Sequence, residues 1–186
     1  DRGLTERGIA QAQALARRLE GGEIAADVLY GSTLPRARMT AEFVAQALKL
    51  PIEWDDEIQE LRPGEADGMR IEDARSRFEG FRQFLTDTFT PIAPGGESWA
   101  SFQLRVSAAL ERIVQRHPDQ TIVVVTHGGV IEVSFQYFLQ LPPQSRMRAS
   151  FHVSNTAITH WRYVTTRAGR AEWHMAGHND RRHLEE

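Results

Sequence analysis

The feature that most constrains this chain is the run Thr121-Ile122-Val123-Val124-Val125-Thr126, which passes without a break into His127-Gly128-Gly129. Four consecutive β-branched apolar residues make both faces of an extended strand apolar, whereas a strand with one wet face alternates. The run therefore predicts a central strand of a sheet covered by helices on both sides. The apolar stretch from residue 130 to 139 then predicts a helix, so the strand turns tightly into a helix N-terminus. Open α/β sheets bind ligands beyond the carboxyl ends of their strands. A helix start adds unpaired N–H groups and the positive end of a dipole, which suits an anion such as phosphate. His127 and its glycines are thus candidate ligand groups; the plainer alternative is a strand-ending histidine and a tight turn.

The rest of the chain alternates in a way that fits this start. Residues 5–20 carry Ile9, Ala12, Ala16 and Leu19 at helical spacing, with Thr5 at the N-cap and Gly21-Gly22 closing the element. Residues 26–30 read as a buried strand. A second helix runs from about residue 34 to 48, with Pro35 in its first turn, and a brief extended piece surrounds Ile52. The pattern over 71–89 is helical, with Phe78, Phe81, Phe84, Leu85 and Phe89 as a bulky face. A longer helix is predicted from about 98 to 117, with Trp99, Phe102, Val106, Ala109 or Leu110, and Ile113 facing the core. Residues 157–164 and 171–176 read as strands around a turn at Ala168-Gly169, one of them non-parallel. The expectation is one α/β domain over residues 1–186, a three-layer α/β/α sandwich with a mostly parallel central sheet.

Composition narrows the chemistry. A chain of 186 residues buries about 70% of its unfolded surface in a single domain. It has no cysteine, which excludes disulfides, thiolate nucleophiles and cysteine metal sites, and fits a cytoplasmic setting. A net charge of −3 gives no broad attraction to nucleic acid or anionic lipid. No apolar run approaches the roughly 20 residues of a membrane helix. Nucleic acid and membrane are therefore not expected partners, and nothing in the sequence speaks to oligomeric state.

Two further segments carry charge where chemistry could use it. Ser32-Thr33-Leu34-Pro35-Arg36-Ala37-Arg38 also follows a strand and opens a helix. A cation in a first helical turn opposes the dipole unless an anion sits between them, and the arginine fork matches phosphate oxygens. Its alternative is an ordinary surface arginine. Gln59-Glu60-Leu61-Arg62-Pro63-Gly64-Glu65-Ala66-Asp67-Gly68 is a loop dense in carboxylates. A carboxyl beside an anion is a candidate general acid; otherwise this is a solvated loop. His174 and His178 are four apart but in an extended stretch, where that spacing does not converge on a metal. Arg70, Arg75, Arg77 and Arg82 read as solvated, with one or two of them able to select a charged substrate, and the nearby phenylalanines as packing or as a pocket wall.

Taken together and in order, these segments resemble the histidine phosphatase superfamily, the group that includes cofactor-dependent phosphoglycerate mutase. Leu4-Thr5-Glu6-Arg7-Gly8 is similar to that family's first helix start. Ser32 to Ala41 is similar to its S-x-L-x-R-A-x-x-T-A pattern, and Glu60 to Gly68 to its E-x-x-x-G-x-x-x-G loop. Gly95-Gly96-Glu97-Ser98 with Arg105-Val106 resembles its G-G-E-S segment, and Thr126 to Gly129 its second-histidine motif.

The resemblance implies that Arg36 clamps phosphate, that His127 and the backbone N–H of Gly128 donate to phosphoryl oxygens, and that Glu60 is the acid–base carboxylate. It implies a phosphatase for small phosphomonoesters working through a phosphohistidine, without metal or other cofactor, with a helical cap at about residues 69–94. Gly95 lies only 35 positions after Glu60, which favours a compact phosphatase over the alternative, a phosphoglycerate mutase. In the family the attacking histidine belongs to an R-H-G turn after a first strand, upstream of the Leu4 helix. That strand and turn do not occur in residues 1–186, so the expectation is that they precede Asp1. The alternative of another class is a non-catalytic phosphate-binding module.

Overall fold

The computed structural model describes residues 2–84, 86–141 and 150–184. Helix α1 (Glu6–Glu20) opens on Thr5, whose hydroxyl accepts from the Gly8 N–H, and buries Ala12, Leu15, Ala16 and Leu19. Strand β1 (Val28–Ser32) follows, shifted two residues from the predicted 26–30. Helix α2 (Pro35–Leu48) leads into β2 (Ile52–Asp55). The predicted helix over 71–89 is two short ones, α3 (Ile71–Arg77) and α4 (Glu79–Gln83). Phe78 is extended between them and buried against Ala66, Ala74 and Ala93, while the Pro91 carbonyl crosses close over Gly80. Packing of the aromatic ring and the crossing strap outweigh weak local propensity. Of the predicted phenylalanine face, Phe84 meets Trp99 edge-on, Phe89 is exposed, and Leu85 lies outside the described residues.

Helix α5 (Trp99–Arg116) begins with a reciprocal cap in which the Ser98 and Ser101 side chains each bond the other's backbone N–H. It buries all the predicted core positions. Strand β3 (Ile122–Val125), helix α6 (Gly128–Phe138), and strands β4 (Ile158–Thr165) and β5 (Ala171–Asp180) complete the described chain. β4 and β5 form an antiparallel ribbon that turns at Gly169, whose φ is +76°. It packs on α6 through Phe135, Phe138, Trp161 and Trp173. Among the described residues no helix is long and apolar enough to cross a membrane.

The main sheet has strand order β2-β1-β3, all parallel. One face packs Leu29, Val123 and Val125 against Leu15, Leu19 and Val44 from α1 and α2. The other packs Tyr30, Ile122 and Val124 against Ala109 and Ile113 of α5. That is the predicted three-layer α/β/α arrangement. Among the described residues β1 has a strand on each side, while β3 pairs with β1 and its residues are half-buried. The apolar run of β3 reflects the helices that cover both of its faces.

Candidate active site

The chain leaves β1 towards β2 on one side and reaches β3 on the other, so connections diverge between β1 and β3. This is a topological switch point, and parallel strands bring their carboxyl ends together there. Ser32 ends β1 and His127 follows β3. Both are buried, and the Ser32 Oγ and His127 Nε2 lie 2.7 Å apart. Burial first, and then the positive fields of Arg36 and Arg105, hold the imidazole neutral, with its pKa down to about 3.

Helix α2 starts one residue after Leu34 with no side-chain cap and no acidic residue in its first turn; Pro35 and Arg36 occupy its opening positions. Helix α6 likewise starts on His127 without a side-chain cap of its own or a first-turn acid. A carboxylate from elsewhere serves that end. Glu60 Oε2 accepts from the Gly129 N–H at 3.1 Å, and its Oε1 accepts from its neighbour Leu61 N–H at 2.9 Å. Glu60, His127 and Arg36 are therefore gathered at one crevice, from segments 60, 127 and 36 residues into the chain. Gly128 is exposed in the first turn of α6, and a Cβ there would meet nothing within 4 Å.

Three residues of this arrangement were not singled out in the sequence for what they do. Ser32 holds His127. Gly129 gives Glu60 both an N–H and room: a Cβ there would lie 2.2 Å from Glu60 Oε1. Arg105 reaches from α5 to the loop that carries Glu60, described below. The signal for Ser32 and Arg105 was their motif membership; nothing local distinguished Gly129 from Gly128.

The remaining candidates are dispersed. His117 precedes β3, at the opposite end of the sheet, bonded to Tyr30 and Gln120. His174 pairs with Glu172, and His178 contacts Thr159 Oγ1. Among the described residues no three His, Asp or Glu side chains gather as a metal site would require. In the 69–94 stretch Arg82 donates to the carbonyls of Arg75 and Ser76, and Arg77 reaches Glu65 at 3.8 Å.

The chain matches the profile of the histidine phosphatase superfamily (branch 1) over residues 1–179. It is 38% identical over 128 residues, 68% of its length, to phosphoserine phosphatase 1 of Hydrogenobacter thermophilus, and spans 60% of that relative. A mutant phosphoserine phosphatase from Entamoeba histolytica, solved in complex with phosphoserine, superposes with a TM-score of 0.78 at 26% identity, covering 98% of this chain and 86% of that one. YhfR of Bacillus stearothermophilus superposes with a TM-score of 0.80 at 30% identity, covering 98% and 87%.

Proposed function

Because the chain belongs to the histidine phosphatase superfamily, we propose that it is a phosphatase that hydrolyses small phosphomonoesters of alcohols, independently of metal, with phosphoserine the first substrate to test. The observation that carries this reading is the meeting of two helix N-termini, Arg36, the neutral His127 and the Glu60 carboxylate at one crevice. The named activities of similar proteins point the same way.

In this reading the phosphoryl group sits between the starts of α2 and α6. Arg36 and the first N–H groups of α6, Gly128 among them, bind its non-bridging oxygens, as His127 does by hydrogen bonding. Such donors count most where charge develops in the transition state. A histidine attacks phosphorus, forming an N–P bond as the bond to the alcohol oxygen breaks, and Glu60 delivers its proton to that oxygen. Glu60 then takes a proton from water as the water displaces the histidine and releases phosphate. The family resemblance assigns the attack to an R-H-G turn outside residues 1–186, following a strand. Residues 69–94, with α3 and α4, form the cap over the crevice in this reading.

The experiment uses the natural protein with O-phosphoserine in the presence and absence of EDTA, alongside a 3-phosphoglycerate mutase assay. Hydrolysis that survives EDTA is expected, with His127→Ala and Arg36→Ala each losing on the order of 10²–10³ in rate. Mutase turnover without hydrolysis, or wild-type rates in both variants, overturns the proposal. Rapid quench should trap an acid-labile phosphoenzyme in the natural protein and none in residues 1–186 alone. Equal phosphoenzyme from both would remove the upstream histidine from the reaction.

A further inference from the structure

We infer that Arg105, acting as a pair with Glu97, is the positioning residue that fixes the Glu60 carboxylate for proton transfer to the leaving group. The inference rests on the reading of Glu60 as the general acid.

Arg105 projects from α5 beneath the loop that carries Glu60. Its Nη1 donates to the carbonyls of Glu57 at 2.7 Å and Gln59 at 3.1 Å, and its Nη2 to the carbonyl of Glu60 itself at 3.4 Å. On its other side Nε and Nη2 bind both oxygens of Glu97, each at 2.7 Å. Both side chains are largely withdrawn from solvent, at 7% and 14% exposure. Burial alone would raise the Glu97 carboxyl, but the bonds from Arg105 and from the Arg62 N–H outweigh it and hold it below its ordinary value.

Glu97 completes a closed frame. Its Oε2 accepts from the Arg62 N–H at 2.9 Å, and its own N–H donates to the Arg62 carbonyl at 2.9 Å. The loop segment from Glu57 to Arg62 is therefore gripped at four of its six residues by one ion pair. Glu60 lies within the gripped span, with its side chain free to reach Gly129 at the start of α6. A loop without regular structure is ordinarily the mobile part of a fold. Beyond the 3₁₀ turn at Asp56–Ile58, a planar fork with five donors, which lysine cannot reproduce, stands here in place of regular secondary structure. The Phe102 ring lies beside the guanidinium at 5.2 Å, and the same ring borders Gly129. The frame and the seat of the carboxylate thus share one wall.

A group that only stabilises the fold affects all substrates alike. A group that aims a general acid affects those whose leaving group needs a proton. The test compares kcat/KM for O-phosphoserine, which leaves as an alkoxide, with 2,4-dinitrophenyl phosphate, whose phenolate leaves unaided. Glu60→Gln is the reference variant; Arg105→Lys and Glu97→Gln are the tests, the second preserving the shape of the buried pair should the first not fold. Each is expected to lower the phosphoserine value on the order of 10²-fold while leaving the dinitrophenyl ester within a factor of about three. Arg105→Lys and Glu97→Gln lowering both substrates equally, or neither, beside a selective Glu60→Gln, overturns the positioning role alone. A Glu60→Gln variant without selectivity overturns the Glu60 assignment and this inference with it.

Discussion

Gly129→Ala asks whether Glu60 works from the seat it holds in the structure. The added Cβ would lie 2.2 Å from Glu60 Oε1 and 3.1 Å from both Glu60 Cδ and Phe102 Cζ, where real side chains keep at least 3.0 Å from their neighbours. Phe102 is fully buried in the cluster that joins α5 to α6, and residue 129 is held in a helix. The carboxylate is the part that yields, by roughly 1 Å, and it loses the 3.1 Å bond to the residue 129 N–H. A misplacement of about 1 Å costs on the order of 10²-fold in rate when the displaced group takes part in the chemistry. Stability should change little. Residue 129 lies in the first turn of α6, where alanine gains less over glycine than the about 1 kcal/mol of a helix interior, and the lost hydrogen bond costs about 1 kcal/mol. The assay is kcat/KM for O-phosphoserine on the natural protein, with urea unfolding in parallel, for Gly129→Ala, Glu60→Gln and the double variant. The single glycine variant is expected to fall on the order of 10²-fold, and in the Glu60→Gln background to cost less than about threefold, because the glutamine amide it displaces has no acidic proton to deliver. Near-wild-type activity in a folded Gly129→Ala, or full additivity in the double variant, would refute the reasoning.

Three further outcomes follow from the packing. His127 is neutral in the fold down to about pH 3, whereas in the unfolded chain it binds a proton below about 6.5. It therefore has no effect on stability above that pH and lowers stability as pH falls towards 3; between pH 7 and 5 wild type should lose roughly 2 kcal/mol more than His127→Gln in urea unfolding, and equal losses would contradict it. Asp180 accepts from Arg182 at 2.7 Å and from Arg18 at 3.1 and 2.7 Å, and these bonds hold its carboxyl far below the ordinary range. Its contribution is present above about pH 4 and lost below; since the side chain is a quarter exposed, Asp180→Asn should cost roughly 1 kcal/mol at neutral pH, and less in 1 M salt. Phe102→Ala empties the centre of the α5–α6 cluster and should cost about 3–5 kcal/mol, read as a lower urea midpoint at unchanged slope.

What the sequence revealed and what it withheld differ in physical kind. Apolar periodicity reports which faces of an element are covered, and on that basis α1, α2, α5 and the three-layer arrangement were legible. Periodicity is silent on edges, because pairing between strands uses backbone groups that every residue carries. Ile122 to Val125 are apolar on both faces for the helices' sake, and the same pattern would occur at the middle of the sheet or at its border. The helix predicted over 71–89 failed for a third reason: its break at Phe78 depends on where Ala66, Ala93 and Pro91 arrive from distant parts of the chain.

The site divides along the same line. His127, Arg36 and Glu60 were legible because each follows a strand or lies in a charged, glycine-punctuated loop, and the parallel sheet brings the strand ends together. Their supports were not, since a support is defined by its partner. Gly128 and Gly129 are the sharpest case. As letters they are interchangeable, and the expectation favoured the first. In the fold the first opens onto solvent, while the second faces a carboxylate 69 residues away in sequence, so only there does a hydrogen in place of a methyl group decide the geometry. Arg105 is a parallel case: its motif marks it in the sequence without assigning it a task, and only the carbonyls of residues 57, 59 and 60 converging on it make it a buried clamp. The chemistry at the crevice thus depends on pairs of residues, one half of each being visible in the sequence and the other fixed by the fold.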